Sequence, residues 1–247
     1  MKTTDELNDY LKDLALIWPR EHHESIAKQA ATEHWTHVEY LTRLMEGECL
    51  RRRDNRILRR IQTARFPAAK TLDGFNWGWP KIINRAQILN LCRLQFMEQN
   101  ANVIFLGGVG LGKTHLASAI GYAACMEGHT VLFTTAVDMI NTLAAAQAVQ
   151  RLKQELKKYT SPQLLVLDEL GYLPIDKLGA DLLFQVISAR YEHGSIVLTT
   201  NKAFKHWPAI FNNDSTLTAA VLDRLLHHAE TVVIEGPSYR MKEQSAT

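Results

Sequence analysis

The stretch Gly107-Gly108-Val109-Gly110-Leu111-Gly112-Lys113-Thr114 constrains this chain more than any other. Ahead of it, Val103-Ile104-Phe105-Leu106 is too short for a helix and rich in strand formers; behind it, Leu116 to Ala124 reads as a helix. Strand, glycine loop and helix with the spacing GxxxxGKT make a phosphate-binding loop in its required context. Small residues let successive backbone N–H groups close around a polyphosphate, and the helix N-terminus adds partial positive charge. Lys113 is expected to reach the β- and γ-phosphates, and the Thr114 hydroxyl to ligate Mg²⁺. Gly107 to Thr114, with His115 beside them, are the expected contacts of a nucleoside triphosphate.

Beyond this loop, apolar strands recur between helical stretches. Strands are expected at 130–135, 164–167, 196–200 and 231–234, and helices at 137–148, 150–159, 176–192 and 216–229. A further helix at 82–98 leads into the loop strand. Apolar runs of this kind predict an α/β fold, a five-stranded parallel sheet covered on both faces.

The second acidic motif refines the chemistry. Leu164-Leu165-Val166-Leu167 delivers Asp168 and Glu169 at its end. Asp168 is expected to hold Mg²⁺ with Thr114, and Glu169 to polarise the attacking water. Asn201 ends the strand 196–200, at the ligand-binding edge such sheets use. It is the candidate for the polar residue beside the γ-phosphate, called sensor 1. Arg224, on the helix 216–229, is the candidate arginine finger for a neighbouring subunit's site, the alternative being an ordinary helix ion pair with an acid such as Asp223. Arg240 is a second arginine near the nucleotide, of less definite role.

The charge is divided unevenly. Residues 1–46 hold 5 Lys/Arg against 9 Asp/Glu, a net of −4, and residues 47–70 hold 8 against 2, a net of +6. Residues 71–247 balance at 15 each. Helices are expected at 4–17, ended by Pro19, at 22–46, closing near Gly47, and at 48–65. On the third, Arg52, Arg53, Arg56, Arg59 and Arg60 share a sector of about 120° at the helical repeat. A face of one sign suits the phosphates of a nucleic-acid backbone, for which arginine offers a flat fork, with a membrane surface or an acidic protein as the alternative. The sequence thus divides into a helical N-terminal domain at 1–65, a linker at 66–81 broken by Pro and Gly, and an ATPase domain at 82–247. No apolar stretch is long enough to span a bilayer, and Cys49, Cys92 and Cys125 form no CxxC pair, which predicts a reduced, cytoplasmic setting with no membrane contact.

In this order, Gly107–Thr114, Leu164–Glu169, Thr199-Thr200-Asn201, Asp223-Arg224-Leu225 and Ser238-Tyr239-Arg240 resemble an AAA+ ATPase. The stretches Asp168-Glu169-Leu170-Gly171-Tyr172-Leu173-Pro174 and Thr199 to Trp207 resemble in particular the IstB family of insertion-sequence ATP-binding proteins, related to DnaC-type helicase loaders. The resemblance implies a homo-oligomeric ATPase, with its arginine finger acting in trans. It implies assembly on duplex DNA with ATP, and work with an integrase-type cognate transposase to direct insertion. A replicative helicase loader and an ATP-dependent DNA scaffold with little hydrolysis are the rival readings. A small-molecule kinase would need a lid with phosphate-clamping arginines. Only 13 residues follow Ile234, too few for the helical lid common in AAA+ proteins.

Overall fold

The computed structural model describes residues 2–239. The chain divides into two compact units, the first reaching Arg59 and the second beginning at Arg60.

The first unit is helical: α1 (Lys2–Asp13), α2 (Ile17–Thr32) and most of α3 (His37–Ala64). Pro19, expected as a stop, lies in the first turn of α2. A missing N–H costs nothing there, because the first four N–H groups of a helix have no partner within it. Gly47, expected as a boundary, lies inside one continuous α3, so the helices expected at 22–46 and 48–65 are redrawn. A Cβ at Gly47 would collide with the Trp18 ring. The glycine serves close packing, and the break falls at Glu33–Thr36 instead. There Thr36 and Glu39 form a capping box: Thr36 N–H donates to Glu39 Oε2 (2.7 Å), and Glu39 N–H donates to Thr36 Oγ1 (3.2 Å).

The second unit is built on a five-stranded, all-parallel sheet in the order β2-β3-β4-β1-β5. The strands are β1 (Asn102–Gly107), β2 (Val131–Thr135), β3 (Leu164–Leu170), β4 (Ser195–Thr200) and β5 (Ala229–Ile234). Side chains alternate between faces, as strand geometry requires. Val103, Phe105, Phe133, Val166 and Val197 pack on one face with Leu116, Ile120 and Ala124 of α6 (Lys113–Glu127). Ile104, Leu132, Leu165, Leu167 and Leu198 pack on the other. That face is covered by α9 (Lys177–Arg190) and α10 (Ser215–Leu226), together with α7 (Ala136–Ala148) and α8 (Leu152–Thr160).

The single helix expected at 82–98 is two short ones, α4 (Arg85–Leu91) and α5 (Gln95–Glu98). Leu94 separates them with φ 64°, a left-handed conformation that no helix interior accommodates. Among the described residues no helix is long and apolar enough to cross a membrane.

Candidate nucleotide-binding site

The glycine loop leaves β1 beside β5 and turns into α6 at Lys113. Gly110 and Gly112 have φ of 74° and 84°, which only glycine adopts without strain. A Cβ at Gly112 would also lie 2.6 Å from the Phe75 ring. Lys113 is only 4% exposed, and its Nζ donates to the Gly108 carbonyl (2.7 Å) across the loop. This bond curls the loop around the lysine and holds its ammonium among the backbone amides.

Neighbouring strands β3 and β4 bring two further oxygens to the Thr114 hydroxyl of α6. Thr114 Oγ1 donates to Asp168 Oδ1 (3.0 Å), and Thr199 Oγ1 donates to the same carboxylate oxygen. Asp168 is 3% exposed, so the two hydroxyls replace the water it has lost. Thr199 also accepts from Glu169 N–H (3.0 Å). The β3–β4 register shifts between Leu167 and Leu170, and Glu169 has φ 62°. This bulge turns Glu169 off the strand and into a cavity of about 480 Å³ that Lys113, Thr114 and His115 also line. Asn201 follows the Leu106–Thr200 pair at the end of β4. Its Oδ1 is buried and accepts no hydrogen bond from the described residues. A buried carbonyl of that kind marks a place for a donor the protein does not itself supply. Backbone amides around a buried lysine, clustered hydroxyl and carboxylate oxygens and an unpartnered amide oxygen together suit a polyphosphate with a hard divalent cation.

The segment expected as a linker forms another wall of the cavity, with Pro67, Lys70, Phe75 and Trp79 among its lining residues. Phe66 stacks on Tyr122 of α6 with ring centroids 4.4 Å apart, and the Thr71 carbonyl bonds His115 Nε2 (2.7 Å). Phe75 meets His115 edge-on at 5.3 Å. At the other end of the unit's chain, Tyr239 N–H donates to the Gly110 carbonyl (3.0 Å) and Trp79 Nε1 to the Pro237 carbonyl (3.0 Å). The segment expected as a linker is thus packed against the glycine loop, and Ser238 and Tyr239 are further neighbours of that loop. No periodicity signals a contact between segments that far apart.

The remaining candidates lie elsewhere. Arg224 Nη1 donates to the Ala220 carbonyl (3.0 Å), and its guanidinium sits over the Phe184 ring at 4.8 Å; it does not line the cavity. Arg240 lies outside the described residues. On α3, Arg53, Arg56 and Arg59 are exposed. Arg52 is diverted: its Nε donates to Glu48 (2.7 Å) and its Nη2 to the Ala15 carbonyl (3.2 Å). Arg60 is half-buried in the second unit, near Gly128 at the end of α6. Arg52 is exposed as well, but it is engaged with Glu48, so Arg53, Arg56 and Arg59 are the exposed arginines of the sector with no ion pair among the described residues.

Glu48 and Arg190 are structural residues that sequence reading passed over. Glu48, 3% exposed, accepts from Arg51, Arg52 and the Trp18 N–H (2.9 Å). The Arg51 hydrogen bonds above all, then those from Arg52 and Trp18, outweigh its desolvation and lower its pKa to about 2. Arg190, 1% exposed, donates to the carbonyls of Tyr159, Pro162, Gln163 and Ser195 at 2.8–3.0 Å. Burial brings its pKa down to about 10.

Residues 10–247 match the family model described as IstB-like ATP binding protein. The insertion sequence IS5376 ATP-binding protein of Geobacillus stearothermophilus is 38% identical over 240 residues, 97% of this chain and 95% of the relative. The insertion sequence IS21 ATP-binding protein of Pseudomonas aeruginosa is 40% identical over 239 residues, 97% of this chain and 90% of the relative. Among solved structures, the DnaC helicase loader superposes with a TM-score of 0.55 at 23% identity, covering 67% of this chain and 97% of that one. A replication initiator DnaA bound to AMPPCP and single-stranded DNA gives 0.58 at 21% identity, covering 74% of this chain and 56% of that one. These likenesses give the second unit an AAA+ fold, and the sequence match shows that the chain belongs to the IstB-like ATP binding protein family.

Proposed function

We propose that this chain is a DNA-dependent ATPase that assembles on duplex DNA in the ATP-bound state and assists a transposase of its own insertion sequence. The observation that carries the enzymatic part is the bulge at Glu169. It sets a carboxylate into the cavity beside Lys113 and Thr114, while Asp168 stays buried between two hydroxyls. A protein that only bound nucleotide would not need that strained residue at that place.

The residues divide the work. Backbone N–H groups of Gly108 to Lys113 and the Lys113 ammonium hold the phosphates. Thr114 and Asp168 would hold Mg²⁺, which when bound supplies positive charge to the phosphate oxygens. Glu169 orients a water and takes up its proton, and Asn201 fixes that water or the γ-phosphate by its amide. Arg224, which does not line its own cavity, serves a neighbouring copy. On α3, Arg53, Arg56 and Arg59 face phosphates of the duplex, a contact without base information. The family's association with insertion sequences points to the transposase as the partner of the assembled form.

The test is to measure particle size and ATP turnover together, with and without duplex DNA. Growth in size that needs both ATP and DNA, with turnover rising in step, is the expected result. ATP binding with neither DNA-dependent assembly nor turnover would leave a nucleotide-binding scaffold and overturn this reading.

A further inference from the structure

At the edge of the sheet opposite the glycine loop, three side chains with metal-ligating atoms converge. Glu192 follows α9, three residues before β4 opens at Ser195, and His227 and His228 close α10 immediately before β5 opens at Ala229. One carboxylate oxygen and one nitrogen from each imidazole lie within 4.8 Å of one another. We propose that Glu192, His227 and His228 bind a Zn²⁺ ion.

Several features organise this cluster beyond mere proximity. Glu192 adopts φ 60°, a left-handed conformation unfavourable to a residue with a Cβ. Asn100 holds it there by donating from Nδ2 to the Glu192 carbonyl (2.9 Å). The backbone of His228 is fixed as well, since Asn102 N–H donates to its carbonyl (2.7 Å). His227 Nδ1 is paired with the Tyr191 hydroxyl at 2.9 Å. With the proton on Nδ1 donated to Tyr191, Nε2 keeps its lone pair for a metal, the arrangement that outer partners of ligating histidines commonly enforce.

The donor set separates transition metals such as zinc from hard cations. Two imidazoles and one carboxylate suit zinc, whereas an all-oxygen set would suit Mg²⁺ or Ca²⁺. Three protein ligands leave a fourth position of the tetrahedron for water. With zinc–ligand bonds of about 2.0–2.2 Å, donor atoms sit about 3.4 Å apart, so small rotations of these exposed side chains close the set. The ion would tie the end of α10 to the α9–β4 turn. It would lie roughly 17 Å along β1 from the glycine loop, at about 3.3 Å per residue, so nucleotide binding is not its business.

Titration of the full chain, free of any affinity tag, with Zn²⁺ alone against a chromogenic chelator tests this. The parent is expected to bind one ion that the H227A/H228A double variant does not. Each single substitution of a ligand should weaken it more than Tyr191→Phe does, and that change should cost about 10-fold to 100-fold, the usual effect of losing an outer partner. Zn²⁺ should also raise the Tm of the parent and leave that of the double variant unchanged. ATP affinity, equal in parent and double variant, reports that the variant is folded; if it is not, Glu192→Gln takes its place. Zinc held elsewhere among the chain's 10 histidines would survive the double substitution. Equal stoichiometry and affinity in parent and folded variant, or no binding in competition with the chelator, would overturn the proposal.

Discussion

Glu169 occupies the left-handed region although it carries a full side chain, and its strain is held in place by a hydrogen bond from its own N–H to Thr199 (3.0 Å). The sequence displayed the Asp168-Glu169 pair but no sign of the bulge, because a one-residue insertion in a strand leaves no mark on apolar periodicity. Glu169→Gln keeps the shape and removes the charge that, in the proposed function, polarises water. Turnover should fall by about 10²-fold or more while ATP stays bound, read by single-turnover assay and nucleotide titration. Turnover at the parental rate would remove Glu169 from the chemistry. Lys113→Ala should act at the earlier step. Its ammonium is buried within the loop, and the variant leaves no other loop cation near the phosphates, so nucleotide affinity itself should drop sharply.

The α/β elements were legible because each strand is a short apolar run between turn signals, and the observed strands match those runs to within two or three residues. The helical unit was less legible. Pro19 and Gly47 were read as punctuation, yet one occupies a helix's permissive first turn and the other makes room for Trp18. The true boundary was written as Thr36-His37-Val38-Glu39, a capping-box pattern that periodicity alone does not reveal. Glu48 links two helices in the first unit, and its pKa of about 2 sets a pH dependence. A carboxylate whose folded pKa lies below its ordinary 4.5 stabilises the fold above that value and loses the contribution as pH falls toward 2. Parental helical stability should therefore decline between about pH 4.5 and 2, followed by thermal circular dichroism. Glu48→Gln should be less stable at neutral pH and show a weaker decline, and matching profiles would exclude this linkage. Reversing Arg53, Arg56 and Arg59 to Glu tests the exposed face of the same helix. Binding should weaken alike for all duplex sequences, and the slope of log affinity against log salt should shrink by roughly one per arginine. A parent whose binding ignores salt would assign that face to a protein partner instead.

On the scale of the whole molecule, the parallel sheet sorts the candidate chemistry to its two edges. The strand C-termini gather Thr114, Asp168, Glu169 and Asn201, as ligand sites in open parallel sheets do, while Arg224 sits apart on α10. That separation gives the last prediction its form. Arg224 lies over the Phe184 ring and bonds one backbone carbonyl, with no carboxylate partner among the described residues to fix it. In the proposed function Arg224, away from its own cavity, completes a site only when a second copy is present. ATPase activity per chain should therefore rise with protein concentration and with DNA. An arginine finger contributes about 10³-fold or more in rate, so Arg224→Ala should be nearly inactive alone. Lys113→Ala should be inactive for a different reason, since it lacks a working loop but keeps its arginine. Mixed at constant total protein, the two variants should regain activity wherever an intact loop meets an intact arginine across a junction. Activity against mixing ratio should pass through a maximum, because neither end of the series contains a complete site. A flat, inactive profile from two folded variants that co-assemble would place Arg224 within its own chain's structure and remove the trans arrangement.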